Sequence, residues 1–131
     1  MYQKISQIQQ EIGKMVKEKP GVYNNKYFDI NQLLDKVIPL FLKYNLVLMQ
    51  PLTTIDNKPA LTTMVIDLDE TDEKKQIIAF STPLPEVETA QKMGGAITYV
   101  RRYALQSLLG LIAEDDDGQS ASEIKNQEID F

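Results

Sequence analysis

Apolar residues recur along this chain with two different periods, and the switches between them divide it into helical ends and a β-rich middle. From Tyr2 to Lys19, Ile5, Ile8, Ile12, Met15 and Val16 fall three or four residues apart, with lysine and glutamine between them. That spacing predicts an amphipathic helix with one buried face. Pro20-Gly21 ends it. Gly21 to Phe28 reads as a loop rich in turn formers that also holds Tyr23, Tyr27, Phe28 and one lysine, Lys26. Aromatics beside a lysine either pin such a loop to the core or offer stacking surfaces to bases. A second helix is predicted from Asp29, which forms a capping box with Gln32, and its apolar face is Leu33, Leu34, Val37, Leu40 and Phe41. Pro39 lies inside it and is expected to kink or restart it before it ends near Tyr44-Asn45.

The period then drops to two. Leu46 to Ile55, Ala60 to Leu68 and Gln76 to Ser81 read as strands, separated by turns at Asp56-Asn57-Lys58 and at Asp69 to Lys75. In the second, Leu61, Thr63, Val65 and Asp67 share one side. Linkers this short predict an antiparallel three-stranded meander. Three strands need a cover for one face, and the next element supplies it. After the proline-marked link Thr82 to Pro85, a long helix is predicted from about Glu86 to Leu111, with Glu86 and Glu88 at its positive end. The fold class is therefore α+β: N-terminal helices, an antiparallel meander, and a long C-terminal helix packed on it.

The long helix holds the unusual residues. At 100° per residue, Ala90, Met93, Gly94, Ile97, Val100, Ala104, Leu105, Leu108, Leu111 and Ile112 form one stripe, read as the face toward the sheet. Arg101 falls inside that stripe; Arg102 falls opposite, with Gln91, Gly95, Tyr99 and Gln106. Arg101 is either a buried ion-pair residue, with an acid such as Asp67, or a phosphate ligand at a groove edge. Arg102 is either a solvated charge or a second phosphate contact; a planar guanidinium suits all of these. Gly94-Gly95 costs the helix about 1 kcal/mol per glycine relative to alanine, which is expected to be offset by the close approach of another backbone.

Charge refines this picture. The net charge of −5 argues against a polyanionic partner, but it is unevenly distributed. Residues 1–113 carry 13 basic and 12 acidic side chains, and residues 114–131 carry one basic and seven acidic. The imbalance lies in a polar tail expected to be disordered, beyond a near-neutral domain at 1–113. There is no cysteine and no histidine, which removes disulfides, thiolate zinc sites and the usual nucleophile–base pairs. No segment resembles a signal peptide or a membrane span. The protein is expected to be cytoplasmic, to have no membrane partner, no cofactor and no metal, and to be a binding protein and not an enzyme.

The run Gly94-Gly95-Ala96-Ile97-Thr98-Tyr99-Val100-Arg101-Arg102-Tyr103-Ala104-Leu105, then Leu109-Gly110 and Glu114-Asp115-Asp116-Asp117-Gly118, resembles the signature of the Erf family of phage single-strand annealing proteins. Gly95 and Val100 are mild departures, where serine and alanine are common. Asn25-Lys26-Tyr27 is a weaker match to a family loop. The resemblance implies single-stranded DNA binding, annealing of complementary strands without ATP, assembly into rings or filaments, and a β-meander crossed by a long helix with DNA between them. It implies DNA contacts at Arg101 and Arg102, with Gln91, Lys92, Thr98 and Tyr99 beside them on the helix and Lys26 and Tyr27 on the loop. It also places the protein in the cytoplasm of a bacterial host.

The tail adds a second resemblance. Ile129-Asp130-Phe131 after an acidic stretch resembles the tip of bacterial single-stranded-DNA-binding proteins, which implies docking to host or phage replication and recombination proteins. On that alternative the protein coats single strands and recruits partners without annealing them. The tail is also expected to compete with DNA for the basic groove and so to weaken nonspecific binding. Two other classes stand beside these: a metal-dependent nuclease using Asp115, Asp116 and Asp117, and a structural oligomer or adaptor with no DNA role.

Overall fold

The computed structural model describes residues 1–18 and 30–111. It is α+β, with α1 (Tyr2–Glu18), α2 (Ile30–Lys43), β1 (Leu46–Met49), β2 (Leu52–Ile55), β3 (Lys58–Asp67), α3 (Glu73–Gln76), β4 (Ile77–Pro83) and α4 (Ala90–Leu109) in chain order. The sheet is the predicted antiparallel meander, with its first strand in two pieces. Gln50-Pro51 interrupts that strand, so β1 pairs with the end of β3 at Met64–Asp67 and β2 with its start at Lys58–Leu61. β4 runs along the opposite edge of β3 from Ala60 to Ile66. β3 is thus the central strand. The β2–β3 turn places Asp56 at φ 51° and Asn57 at φ 65°, the two left-handed positions of a type I′ hairpin.

Of the two faces of β3, the one with Leu61, Thr63, Val65 and Asp67 is buried. Two apolar clusters sit beneath it. The larger joins Ile5, Ile8 and Ile12 of α1, Leu33, Val37 and Phe41 of α2, Leu46 and Val65 of the sheet, and Leu105 and Leu109 of α4. The smaller joins Leu61, Leu84 and Val100, with Met93, Ile97 and Tyr99 against it. Each fully buried side chain of this size stabilises the fold by roughly 1.5–3 kcal/mol before entropic costs.

Three expectations about the helices change. α2 continues through Pro39 without a break. Pro39 and Asp35 are both exposed, so the Asp35 carbonyl that loses its helical donor is open to water. α4 begins at Ala90, later than Glu86, because Thr89 caps it: its hydroxyl accepts from the Lys92 amide at 3.1 Å. Glu86 and Glu88 therefore lie in the preceding link. The helix stops at Leu109, where Gly110 adopts φ 62° and the Leu111 amide donates to the Gln106 carbonyl at 3.0 Å, the bond of a Schellman cap.

The third change concerns the buried stripe of α4. Ala96, Val100, Ala104, Leu105 and Leu109 are buried, whereas Ala90 and Gly94 are exposed. The stripe shifts round the helix because α4 has two supports. Its first half lies on the sheet and its second half on α1 and α2.

A charged cluster ties α1 to the sheet. Asp67 is 3% exposed; it accepts from Lys4 Nζ at 2.7 Å and from the Asp69 amide at 3.0 Å, and lies 3.3 Å from the Met1 ammonium. Burial alone would raise the Asp67 carboxyl. The hydrogen bonds from Lys4, the Asp69 amide and the N-terminal ammonium outweigh it and hold the group below the usual carboxylate range.

Candidate nucleic-acid interface

α4 carries Lys92, Arg101 and Arg102 and no acidic residue along its 20 positions, in a chain whose net charge is −5. Three cations elsewhere lie against acids. Lys4 binds Asp67 and Asp69, Lys43 binds Glu11 at 2.7 Å, and Lys58 lies 3.7 Å from Glu86. α4 therefore joins three cations on one helix that brings no acid of its own.

The helix divides its candidate residues among three surfaces. Gln91, Thr98 and Arg102 recur at i, i+7 and i+11 and so share one outward row. Gln91 and Thr98 are exposed, and the Thr98 hydroxyl donates to the Gly94 carbonyl at 3.1 Å. Lys92, Tyr99 and Tyr103 form a second row with the same spacing. The Tyr99 and Tyr103 rings lie 4.5 Å apart and tilted by 44°. The Arg102 guanidinium sits 4.9 Å from the Tyr103 ring and 5.8 Å from the Tyr99 ring, within cation–π range. This holds a charge and two half-buried rings together.

Arg101 is on the third surface. It lines a groove of about 360 Å³ between α4, α2 and the β1–β2 edge, with Leu34, Ile38, Leu48, Gln50, Leu52 and Ile97. No carboxylate pairs with it among the described residues. Asp67, the partner considered from sequence, is occupied by Lys4 and the N-terminus. Gln50 braces the groove, its amide donating to the Arg101 carbonyl and to Thr63 Oγ1, both at 3.1 Å. Arg101 thus presents a charge in a groove lined mostly by apolar side chains.

Gly94 does not have the neighbour expected of it: nothing lies within 4 Å of where a Cβ would stand, and both Gly94 and Gly95 are exposed. The outward row is therefore smooth and open between Gln91 and Thr98. Lys26 and Tyr27 lie outside the described residues, as do Asp115, Asp116 and Asp117 and the tail residues Ile129, Asp130 and Phe131. Among the described residues no group of acidic side chains could hold a metal ion, and no helix is long and apolar enough to cross a membrane.

Sequence reading missed Tyr103 and Gln50. Tyr103 had a signal, since it stands four residues after Tyr99, the spacing at which helical side chains meet. Gln50 had none, because its role depends on the strand break that brings it under α4.

The family model of the ERF superfamily matches residues 1–129, nearly the whole chain. The chain belongs to the ERF superfamily. No curated protein and no solved structure matches it. In this ERF-superfamily chain the matched region includes all of α4 and its cationic surfaces.

Proposed function

We propose that this chain binds single-stranded DNA along α4 and promotes ATP-independent annealing of complementary strands. ERF-superfamily membership supports the recombination setting. The observation that carries the reading is the pair Arg101 and Arg102, adjacent in sequence and directed to two sides of one acid-free helix. Arg101 takes a phosphate at the groove, and Arg102 with Lys92 takes phosphates on the outer side. Tyr99 and Tyr103 offer ring faces to bases, each stack contributing roughly 1–3 kcal/mol with little sequence preference. Gln91 and Thr98 give neutral hydrogen bonds to the backbone, and the open surface at Gly94 and Gly95 lets it approach. No step in this mechanism makes or breaks a covalent bond.

The test is binding of a fluorescent oligonucleotide as a function of salt. Each neutralised phosphate of a single strand contributes a slope of about −0.7 to log K against log salt. Three helix cations predict a slope near −2, falling by about 1.4 in Arg101→Ala/Arg102→Ala. A slope unchanged by the double substitution, in a protein that remains folded, removes the helix from the site. Tight binding of single strands without faster pairing assigns the chain to coating instead of annealing.

A further inference from the structure

The walls of the groove at Arg101 are almost without polar groups. Five of its seven lining residues are aliphatic: Leu34 and Ile38 of α2, Leu48 of β1, Leu52 of β2 and Ile97 of α4. Leu48 and Leu52 stand opposite Val65 and Leu61 of β3, both buried, so they project to the side of the sheet that α4 covers. The two polar lining residues are Arg101 and Gln50. The Gln50 amide nitrogen donates to the Arg101 carbonyl and to Thr63 Oγ1, both at 3.1 Å, which engages both of its hydrogens. Gln50 can then only accept from a ligand, and Arg101 can only donate to one. The outer side of α4 is different, for Gln91 and Thr98 are exposed there.

We infer that this groove tells deoxyribose from ribose, with Leu48 and Leu52 as the specificity-determining residues, so that the chain binds a DNA strand in preference to an RNA strand of the same sequence. The inference rests on the proposed seating of a phosphate at Arg101. In a nucleic-acid backbone the 2′-carbon is bonded to the carbon that bears the 3′-oxygen. A phosphate held by Arg101 therefore brings the 2′-position of its own sugar against the groove walls. In deoxyribose that position is a methylene, which aliphatic walls receive without polar cost. In ribose it is a hydroxyl, both donor and acceptor, and the leucine and isoleucine walls give it no partner. Burying a hydroxyl without one weakens binding by a factor of about 5 to 150. The groove opens to solvent along Ile38 and Leu52, which are 46% and 60% exposed, so the hydroxyl keeps part of its water. The expected preference is in the lower part of that range, about 5- to 20-fold.

The test uses the full chain and three fluorescent single strands of one sequence: DNA, RNA and 2′-fluoro RNA, with uracil in place of thymine in all three. The 2′-fluoro strand keeps a ribose-like sugar pucker but has no 2′-hydroxyl, so it separates the cost of the hydroxyl from that of sugar shape. Wild type should bind DNA about 5- to 20-fold more tightly than RNA, and the 2′-fluoro strand should bind nearly as DNA does. Leu52→Asn keeps the size of Leu52 and gives the wall an amide for the hydroxyl, at a position exposed enough to leave the core intact. It should shrink the DNA-to-RNA ratio by about 3-fold or more. Leu42→Asn, at an exposed residue of α2 that does not line the groove, should leave the ratio as in wild type. If the DNA strand shows no salt-dependent binding, the DNA-binding reading fails and this inference falls with it. If DNA binds but RNA binds equally, if the 2′-fluoro strand follows RNA, or if Leu52→Asn leaves the ratio unchanged, the sugar filter alone is overturned.

Discussion

Replacing Asp67 by Asn tests how α1 is held to the sheet. Asn keeps the shape of Asp67 but removes the charge that faces Lys4 at 2.7 Å and the Met1 ammonium at 3.3 Å. Breaking a buried ion pair by removing one partner costs roughly 3–5 kcal/mol. Here the cost is reduced, because Lys4 is part-exposed and keeps Asp69 at 2.8 Å. The Asp69 amide also retains an acceptor. The expected loss is about 2–4 kcal/mol at pH 7, or roughly 10–20 °C in Tm for a domain of this size. Urea unfolding followed by circular dichroism measures it directly.

The pH dependence of this loss has a definite sign. The folded state holds Asp67 below its ordinary value, so its contribution is complete above about pH 4 and is lost as pH falls through the folded value. Lys4 is raised: burial would lower it, but its bonds to Asp67 and Asp69 outweigh that. Its contribution is complete below about pH 10.4 and is lost as pH rises beyond it. The gap between wild type and Asp67→Asn should be flat from about pH 5 to 7 and close toward pH 3. A loss under 1 kcal/mol at pH 7, or a gap as wide at pH 3 as at pH 7, refutes the reasoning.

Two further predictions address α4. Gly94→Ala should stabilise the protein by up to about 1 kcal/mol, since the site is helical and exposed with open space around it. The same change should weaken oligonucleotide binding if a DNA backbone passes over that surface, and equal affinity would remove Gly94 from the contact. Leu105→Ala should cost about 2–5 kcal/mol in urea unfolding, because Leu105 is fully buried where α4 meets α1 and α2; a loss below 1 kcal/mol would mean that this junction is not tightly packed.

Much of the fold was legible because its periods are clean. The three-to-four spacing of Ile5, Ile8 and Ile12 and the alternation of Leu61, Thr63, Val65 and Asp67 each describe a single buried face. The reading failed where one element has two supports. The α4 stripe was drawn as a straight line, but Val100 packs on the sheet and Leu109 packs on the helices, and only the tertiary arrangement gives that turn. Pro51 carried a signal for the break between β1 and β2, since proline has no amide for a ladder. The cationic helix was legible as a set of residues. Its division into a groove with Arg101 and an outer cluster with Arg102 depends on where α2 and the broken strand end. The Lys4–Asp67–Asp69 cluster joins residues more than 60 positions apart, and no local pattern marks it.

The most direct test of the central claim is annealing of two complementary oligonucleotides without ATP, followed by fluorescence, with wild type beside Arg101→Ala/Arg102→Ala. Wild type should accelerate pairing, and the folded double variant should leave it at the spontaneous rate. A wild type that does not accelerate pairing, or a double variant as active as wild type, contradicts annealing along α4.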